Sequence, residues 1–401
     1  MIRKILIQFL LLVALISSFI FSACSEEPNL TGYTLLNPTD SLILKRFDSS
    51  VDSVNFYIKQ VKQVENFGNL QRFLVGKYDD IIAHSLIRFN FYMPDSVKNA
   101  VKNSAIIINS ARLKLFPIYR LGDSTRNNYS IEVREILSWW ESDYFNIDSL
   151  KSSKYQVGSD QIQVSQSDED SLYFIQLSND KVFEWLRIYS ADTLPKPPGI
   201  LLSPSPTTEY VKGFASINSG FVITTSVIEL VYTMNSIIDT IYFSSVADLH
   251  VVEKEIPYGT NVEKIVLQSG LKEKALLAFD LSSIPNRAII NAAYLRLYLN
   301  ENESVFGSSY QDSIYVQFVK DSANVTIDSI TSFTLIKSMN GYYEGNISYY
   351  VQKWIDGVDN QGVILHAKDP IGGLERFVFY GPGSPYLEKR AKLIINYSYK
   401  K

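Results

Sequence analysis

The stretch "LLAFDLSSIPNRAIINAAYLRLYLN", from Leu276 to Asn300, decides the fold prediction. Apolar residues alternate with others at a period of two over 275–281 and again over 292–300, a pattern typical of β-strands with one buried face. Pro285 and Asn286 lie between the two runs, where proline removes a ladder donor and asparagine tolerates turn geometry. The stretch therefore predicts strand, loop and strand.

A weaker version of the same stretch runs from Leu86 to Phe116, as expected of a repeated unit. Six pairs of anchors keep their order along the two halves: Phe67-Gly68 with Tyr258-Gly259, Phe89 with Phe279, Ala111 with Ala293, Trp185 with Trp354, "GILL" from Gly199 with "GVIL" from Gly362, and Tyr232 with Tyr397. The spacing changes across segments that have the composition of loops or weak strands, where insertions are tolerated. The longest insertion, between Ala111 and Trp185, predicts a polar excursion in the first copy.

Helical patterns are few and short. We expect helices only near Asp95, over 182–188 and over 349–355. The remaining short apolar runs, separated by Gly, Pro, Asn, Asp and Ser, predict an all-β chain of two tandem jelly-roll-like antiparallel β-sandwiches. The predicted divisions are a signal peptide over 1–23, a linker over 24–38, a first sandwich over 39–235 and a second over 236–401. The predicted boundary falls in "TMNSIIDT", Thr233 to Thr240.

Charge and composition exclude some partners. The chain has 401 residues, 46% of them hydrophobic and 13% aromatic, with 38 basic against 42 acidic residues. This is enough apolar material for more than one core. Nucleic-acid binding is not expected, because it requires a concentrated basic surface.

The N-terminus has the pattern of a secretory signal. Arg3 and Lys4 precede an apolar run, and small residues precede Cys24, the single cysteine of the chain. The stretch resembles a bacterial lipoprotein signal, which implies that Cys24 carries lipid and anchors the protein in a membrane. The acidic residues that follow resemble a signal for export to the outer surface, so the expected location is the outer membrane, at the cell surface. The alternative is an uncleaved helical anchor.

Catalytic and metal-binding motifs are missing from the sequence. His84, His250 and His366 are far apart and lack the spacing of a metal site, so we predict strand or turn residues. No nucleophile elbow is visible. Asp168, Glu169 and Asp170 predict a solvated loop, because three adjacent acids supply few of the ligands that calcium needs. No cofactor is expected, although a structural calcium held by residues distant in sequence remains an open alternative.

One face of a repeated strand carries the candidate ligand-binding residues. In the second copy these are Tyr294, Arg296 and Tyr298, and in the first copy Arg112 and Lys114 take matching places. An arginine fork suits carboxylates, because it donates two parallel hydrogen bonds. The alternative, which we favour, is an outer sheet face whose side chains cover a neighbouring strand.

Both copies resemble the DNRLRE domain family, extracellular bacterial β-sandwich modules of the carbohydrate-binding type. The resemblance rests on "LLAFDLSSIP" at Leu276, "INAAYLRLYL" at Ile290, the Trp-Ile-Asp-Gly stretch at Trp354, "NQGVIL" at Asn360 and "FVFYGPGSP" at Phe377. It implies secretion and polysaccharide binding.

The resulting hypothesis is a non-catalytic, lipid-anchored surface protein that binds polysaccharide or cell-envelope glycan. The alternative is a structural or adhesive surface protein that acts through protein contacts. A hydrolase or lyase built on the sandwich is the least favoured class.

Overall fold

The computed structural model describes residues 42–52, 55–62, 69–123, 125, 128–169, 171–191, 195–220, 225–254, 259–308, 310–368 and 372–400. The predicted signal peptide, linker and Cys24 lie outside these residues, as do Phe67, Gly68 and Tyr258 of the first anchor pair. Within the described residues, no helix is long and apolar enough to cross a membrane.

The described chain is built from 23 strands and four α-helices. The helices are α1 (Asp95–Lys102), α2 (Ile147–Lys151), α3 (Asn179–Ser190) and α4 (Ser348–Ile355). The strands before the predicted boundary are β1 (Leu42–Asp48), β2 (Phe56–Lys62), β3 (Arg72–Tyr78), β4 (Ile81–Phe89), β5 (Ile107–Leu115), β6 (Pro117–Leu121), β7 (Ile131–Ile136), β8 (Val157–Gln161), β9 (Gln163–Glu169), β10 (Leu172–Leu177), β11 (Ile200–Pro204), β12 (Val211–Ala215) and β13 (Val227–Met234). The strands after it are β14 (Ile237–Lys254), β15 (Lys264–Gln268), β16 (Glu273–Phe279), β17 (Ile289–Tyr298), β18 (Ser313–Asp321), β19 (Thr326–Lys337), β20 (Tyr342–Asn346), β21 (Val363–Ala367), β22 (Arg376–Tyr380) and β23 (Lys392–Lys400).

The strands form two antiparallel β-sandwiches, which confirms the predicted fold class. In the first sandwich one layer has the order β14-β13-β5-β10-β9, and the other contains β14, β4, β11, β7 and β8, with β3, β12 and β6 beside β4. The long strand β14 pairs with β13 over its first half and with β4 over its second half, so it runs through both layers. The core between the layers includes Phe73, Leu113 and Trp185.

The second sandwich repeats this arrangement. One layer has the order β1-β23-β17-β20, and the other contains β2, β16, β21 and β18, with β15 and β22 attached at the turn into β16. Strand β19 pairs with both β18 and β20 and joins the layers. Phe279, Leu295 and Phe377 lie in its core. The alternation over 275–281 does place Ala275, Leu277, Phe279 and Leu281 in this core, as predicted.

Each sandwich contains strands that belong, by sequence, to the other copy. The strands over 42–48 and 56–62 pair with the second sandwich, β1 on β23 and β2 on β16. Residues 237–254 pair with β13 and β4 of the first sandwich. The predicted boundary at 235/236 is therefore a tight turn inside a hairpin, with Asn235 and Ser236 at positive φ. The sandwiches do not follow the contiguous division into 39–235 and 236–401, because sequence order alone does not determine which strands pair.

The remaining described anchors of the repeat occupy matching positions. Ala111 pairs with Leu230 in the first sandwich, and Ala293 pairs with Ile395 in the second. Gly199 and Gly362, both at positive φ, approach the backbone carbonyls of Ile87 and Leu277, where a Cβ would come within 2.3 Å and 2.7 Å. Glycine recurs in these two places because the backbone leaves no room for a side chain.

Helix predictions were correct in position, and one helix was missed. The predicted helices correspond to α1, α3 and α4, but α3 extends to twelve residues and α2 was not expected. The excursion between Ala111 and Trp185 contains α2 as well as β8 and β9, which pair with β7 and β10. Part of this polar excursion therefore forms edge strands. The sequence did not predict them, because short segments with little apolar alternation lack the pattern of a strand.

The two sandwiches meet around Tyr119 of β6. Its hydroxyl donates to Glu375 Oε1 at 3.0 Å and accepts from the backbone N–H of Leu374 at 3.0 Å. Leu121 and Val211 of the first sandwich pack with Leu271 and Leu374 of the second in one apolar cluster. Burial, followed by the charge of Glu375, holds the pKa of Tyr119 well above its usual value, so the hydroxyl keeps its proton to donate.

Candidate binding cleft at one end of the second sandwich

A cleft in the described chain lies at one end of the second sandwich. Its volume is about 610 Å³, within the usual range for small-molecule and sugar sites. We call it the end cleft. Three segments line it: residues 55–57 at the start of β2, residues 278–286 at and after the end of β16, and residues 354–360 at and after the end of α4.

Backbone and side-chain hydrogen bonds fix these segments to one another. The N–H of Asp280 donates to the carbonyl of Asn55 at 2.9 Å. Asn360 donates from Nδ2 to the carbonyl of Phe279 at 2.8 Å and accepts from the N–H of Gly362 at 3.2 Å. Asn360 is therefore committed to holding the cleft together, and the segments of the "FDLSSIP", "WIDG" and "NQGVIL" motifs meet at one place.

Among the described residues that line the end cleft, the charged groups are the two aspartates Asp280 and Asp359, and none is basic. Asp280 Oδ1 accepts from the backbone N–H of Ser282 at 2.9 Å, and this hydrogen bond lowers the pKa of Asp280. Asp280 is therefore ionised at neutral pH. Carboxylates only accept hydrogen bonds, so the cleft favours ligands rich in hydroxyl donors and disfavours anions.

Aromatic side chains supply the apolar surface of the end cleft. Tyr57 is 50% exposed and Phe56 is 37% exposed at its edge. Trp354 lines the cleft and stacks on Phe318 with ring centroids 5.8 Å apart. Its indole N–H is buried and has no hydrogen-bond acceptor among the described residues. Exposed rings beside a few polar groups are typical of recognition sites that combine apolar packing with orientation.

The predicted residues Tyr294, Arg296 and Tyr298 lie on the outer face of β17, away from the end cleft. Arg296 donates from Nε to Glu344 of β20 at 2.7 Å and stacks over the ring of Tyr342 at 4.1 Å. Burial opposes the charge of Arg296, but hydrogen bonds to Glu344 and Tyr298 outweigh it and raise the pKa. Two nitrogens of the Arg296 guanidinium already contact the Glu344 carboxylate. This contact agrees with the alternative interpretation, in which the outer face of β17 covers a neighbouring strand.

Tyr298 also contacts a second, smaller depression of about 290 Å³ at the other end of β17, with Tyr380 and Lys389 among its lining residues. Its ring lies 5.4 Å from that of Tyr342, in a tilted pair. Tyr294 is 36% exposed. The predicted face is thus present and accessible in part, but its arginine is engaged.

The first sandwich places Arg112 and Lys114 in the corresponding positions on β5. Arg112 donates from Nε to Glu229 of β13 at 3.1 Å and stacks over Phe174 at 4.7 Å. Lys114 lies 5.3 Å from the ring of Phe116. The glutamate lies on β13 in the first sandwich and on β20 in the second, on opposite sides of the repeated strand. Each arginine nevertheless has one glutamate partner. These contacts favour a role in covering the sheet.

The other titratable candidates have structural positions. His84, His250 and His366 lie in β4, β14 and β21 as predicted, and burial lowers the pKa of His366 to about 4. Asp168 and Glu169 are exposed, but they do not lie in a loop as predicted: they are the last two residues of β9. Asp168 accepts from buried Lys212 at 2.6 Å. The described residues contain no group of three or more histidine, cysteine, aspartate or glutamate side chains suited to a metal ion. A structural calcium held by residues distant in sequence stays a prediction. Asp170 and Cys24 lie outside the described residues.

Sequence reasoning missed the end cleft as a unit. Tyr57 and Phe56 enter it from a segment that is more than 200 residues away in sequence from the rest of the lining. The available signal was the concentration of "FDLSSIP", "WIDG" and "NQGVIL" in the second copy, because motifs at the ends of paired strands meet in space.

No family model matches the chain, and no curated protein matches it. Among solved structures, the C-terminal domain of the Streptococcus pyogenes antigen I/II-family protein AspA aligns over 87% of this chain and 92% of that one, with 9% sequence identity and a TM-score of 0.16. A TM-score this low carries no argument about fold or function. The resemblance to the DNRLRE family stays a prediction.

Proposed function

We propose that this protein is a lipid-anchored bacterial surface protein that binds glycan without catalysis, and that the end cleft is its binding site. The observation that carries the proposal is the cleft of about 610 Å³ lined by exposed rings, aspartates and asparagines. Apolar ring faces pack on the C–H faces of sugars, while carboxylate and amide groups accept and donate hydrogen bonds to hydroxyls.

The charge of the cleft narrows the proposed ligand. A uronate or sulfate group would approach Asp280 and Asp359, and none of the described lining side chains is basic; like charges at short range are unfavourable. The proposed ligand is therefore a neutral glycan. Arg296, whose fork suits the carboxylate of an acidic sugar, is already paired with Glu344.

The proposed location rests on the N-terminal sequence. The basic start, the apolar run and Cys24 support lipid attachment, and the acidic residues after Cys24 support delivery to the outer surface. An anchor of this kind leaves the sandwiches free to reach polysaccharide outside the cell, which fits glycan binding.

Affinity electrophoresis tests the proposal. The protein would be run through gels containing neutral or acidic polysaccharides, beside the variants Tyr57→Ala and Asp359→Asn. We expect retardation by at least one neutral polysaccharide, and a reduction of about tenfold or more in affinity for each variant, because each loses a contact to the sugar.

Tyr294→Ala and Arg296→Ala are the matched controls, since both lie on the same sandwich but outside the cleft. They should bind as the unchanged protein does. Absence of retardation by every glycan would refute glycan binding. Loss of binding in the controls with the cleft variants unaffected would place the site on the outer face of β17 and refute the cleft. Release of sugar products would refute a non-catalytic role.

A further inference from the structure

The two sandwiches obtain their exchanged strands in different ways. In the first sandwich, β14 follows β13 directly through the two-residue turn Asn235-Ser236, so the strand is supplied locally. In the second sandwich, β1 and β2 come from the far end of the chain and are joined to the first sandwich by residues 63–71. The strands fill equivalent places: Ile58 of β2 pairs with Leu277, as Asp248 of β14 pairs with Ile87.

The second sandwich depends on this distant segment. Strand β1 forms seven register pairs with β23, and β2 forms seven with β16. Phe47 and Ile58 carry the segment's apolar side chains into the core of the second sandwich. Removing the segment would leave the edges of β16 and β23 without partners and the core open on two sides. Any strand pair of the same sequence would fill the gap equally well.

We propose that β1 and β2 form an exchangeable element and that the second sandwich of another copy of this chain can accept it. The partner is a second molecule of this protein, because its second sandwich offers the same acceptor edges, β16 and β23, and the same core pocket for Phe47 and Ile58. Swapping an identical element between copies makes the same contacts as the closed chain, so it costs little in contact energy. Head-to-tail repetition of the exchange would link copies in a row.

The lengths of the connections allow this exchange. Residues 63–71 join β2 to β3, and residues 255–263 join β14 to β15, nine residues in each case. Nine residues span at most about 30 Å when fully extended, so the exchange requires an accepting sandwich within about that distance of β3. In the first sandwich the tight turn at Asn235 prevents the equivalent exchange.

Competition between the closed and exchanged forms depends on concentration. A short connection gives the closed form an effective concentration on the order of millimolar. Exchange is therefore expected when the chain folds at comparable concentration, or where copies are confined together on a surface. A dilute solution should contain the closed monomer.

Engineered cysteine pairs distinguish the two forms. Arg46 and Asn396 lie directly opposite each other across β1 and β23, and both are exposed, so Arg46→Cys with Asn396→Cys can form a disulfide without changing the core. The full chain would also carry Cys24→Ser. It would be refolded at a series of concentrations from about 10 µM to about 1 mM, the scale of the effective concentration, and then oxidised and analysed on non-reducing gels.

The control is Val231→Cys with Thr240→Cys, opposite each other across the β13–β14 hairpin. We expect the β1–β23 pair to give covalent dimers and higher species whose fraction rises about tenfold or more across the series, while the control remains a monomer with an internal disulfide. Internal disulfides alone for the β1–β23 pair at the highest concentration would overturn the proposal. Covalent multimers of the control to the same extent would also overturn it, since they would show random cross-linking.

Discussion

The same end of the two sandwiches is filled in the first and open in the second. In the first, Phe91 packs against Phe243, Tyr189 and Trp185, with ring centroids 4.7, 4.9 and 5.8 Å away, and a cavity of only about 10 Å³ remains. In the second, Leu281 stands at the position that matches Phe91, and a cleft of about 610 Å³ is present.

The elements around this end explain the difference. The first sandwich inserts α1 after β4, and three of its side chains, Val97, Ala100 and Val101, are buried. Its α3 is one turn longer than α4 and carries Tyr189, whose hydroxyl bonds to the carbonyl of Phe89 at 3.1 Å. The second sandwich has a short loop in place of α1. Two copies of one fold can thus divide their roles, one end serving as core and the other left available to a ligand.

The largest expected effect comes from truncating the filled end. Phe91→Ala should destabilise the protein by about 3–5 kcal/mol, because the ring is buried among other rings and its removal leaves a cavity. Leu281→Ala, at the matching position, should cost clearly less, since solvent from the cleft can occupy the vacated space. Denaturant unfolding of the two variants measures both values. Equal costs would mean that the two ends are equally packed.

Asp248 gives the second effect, which depends on pH. Burial raises the pKa of Asp248 to about 7, above the value of about 3.9 in an unfolded chain. The folded state therefore binds the proton more tightly, and the stability that this contributes is present below pH 4 and lost as the pH rises through 7.

Asp248→Asn removes this dependence and keeps an acceptor for the N–H of Ile217. One pKa unit is worth about 1.4 kcal/mol, so we expect a gain on the order of 2–4 kcal/mol at pH 8 and almost none at pH 4. Thermal unfolding at the two pH values checks it. The apolar counterpart Ile58 provides the control: Ile58→Val should change stability equally at both pH values.

The smallest effect concerns the repeated tryptophans. Trp185 donates to Glu135 at 2.7 Å, whereas Trp354 stacks on Phe318, the residue that matches Glu135. Glu135→Leu should cost about 1–3 kcal/mol, because it leaves a buried indole N–H without an acceptor and removes one of the two carboxylate partners of Lys181. Glu135→Gln should restore most of the loss. Chemical denaturation of both variants would show whether the hydrogen bond or the charge matters.

Local patterns predicted much of the fold. Alternation over 275–281 identified β16 and its buried face. Pairing could not be predicted, because nothing in the composition of β1 or β14 indicates that each lies in the other copy's sandwich. The cleft followed from that pairing, since Tyr57 reaches it only through β2.

The residues of the outer face show a different limit. Their spacing placed Arg112 on β5 and Arg296 on β17 at matching positions of the repeated strand, but Glu229 and Glu344 come from different neighbouring strands. A partner on an adjacent strand depends on register, which one strand's sequence does not specify. The choice between a ligand and an internal glutamate was therefore beyond the sequence.

Pairing of β1 with β23 also brings the two ends of the described chain together, because Leu42 lies opposite Lys400. The first and last described strands are therefore neighbours in one sheet. Linking these ends and opening the Asn235-Ser236 turn would give a circular permutant in which β14 becomes the terminal strand and β1 the local one. In this permutant the first sandwich would take β14 from the opposite end of the chain. The second sandwich, which contains the end cleft, would take β1 from the segment that directly follows β23.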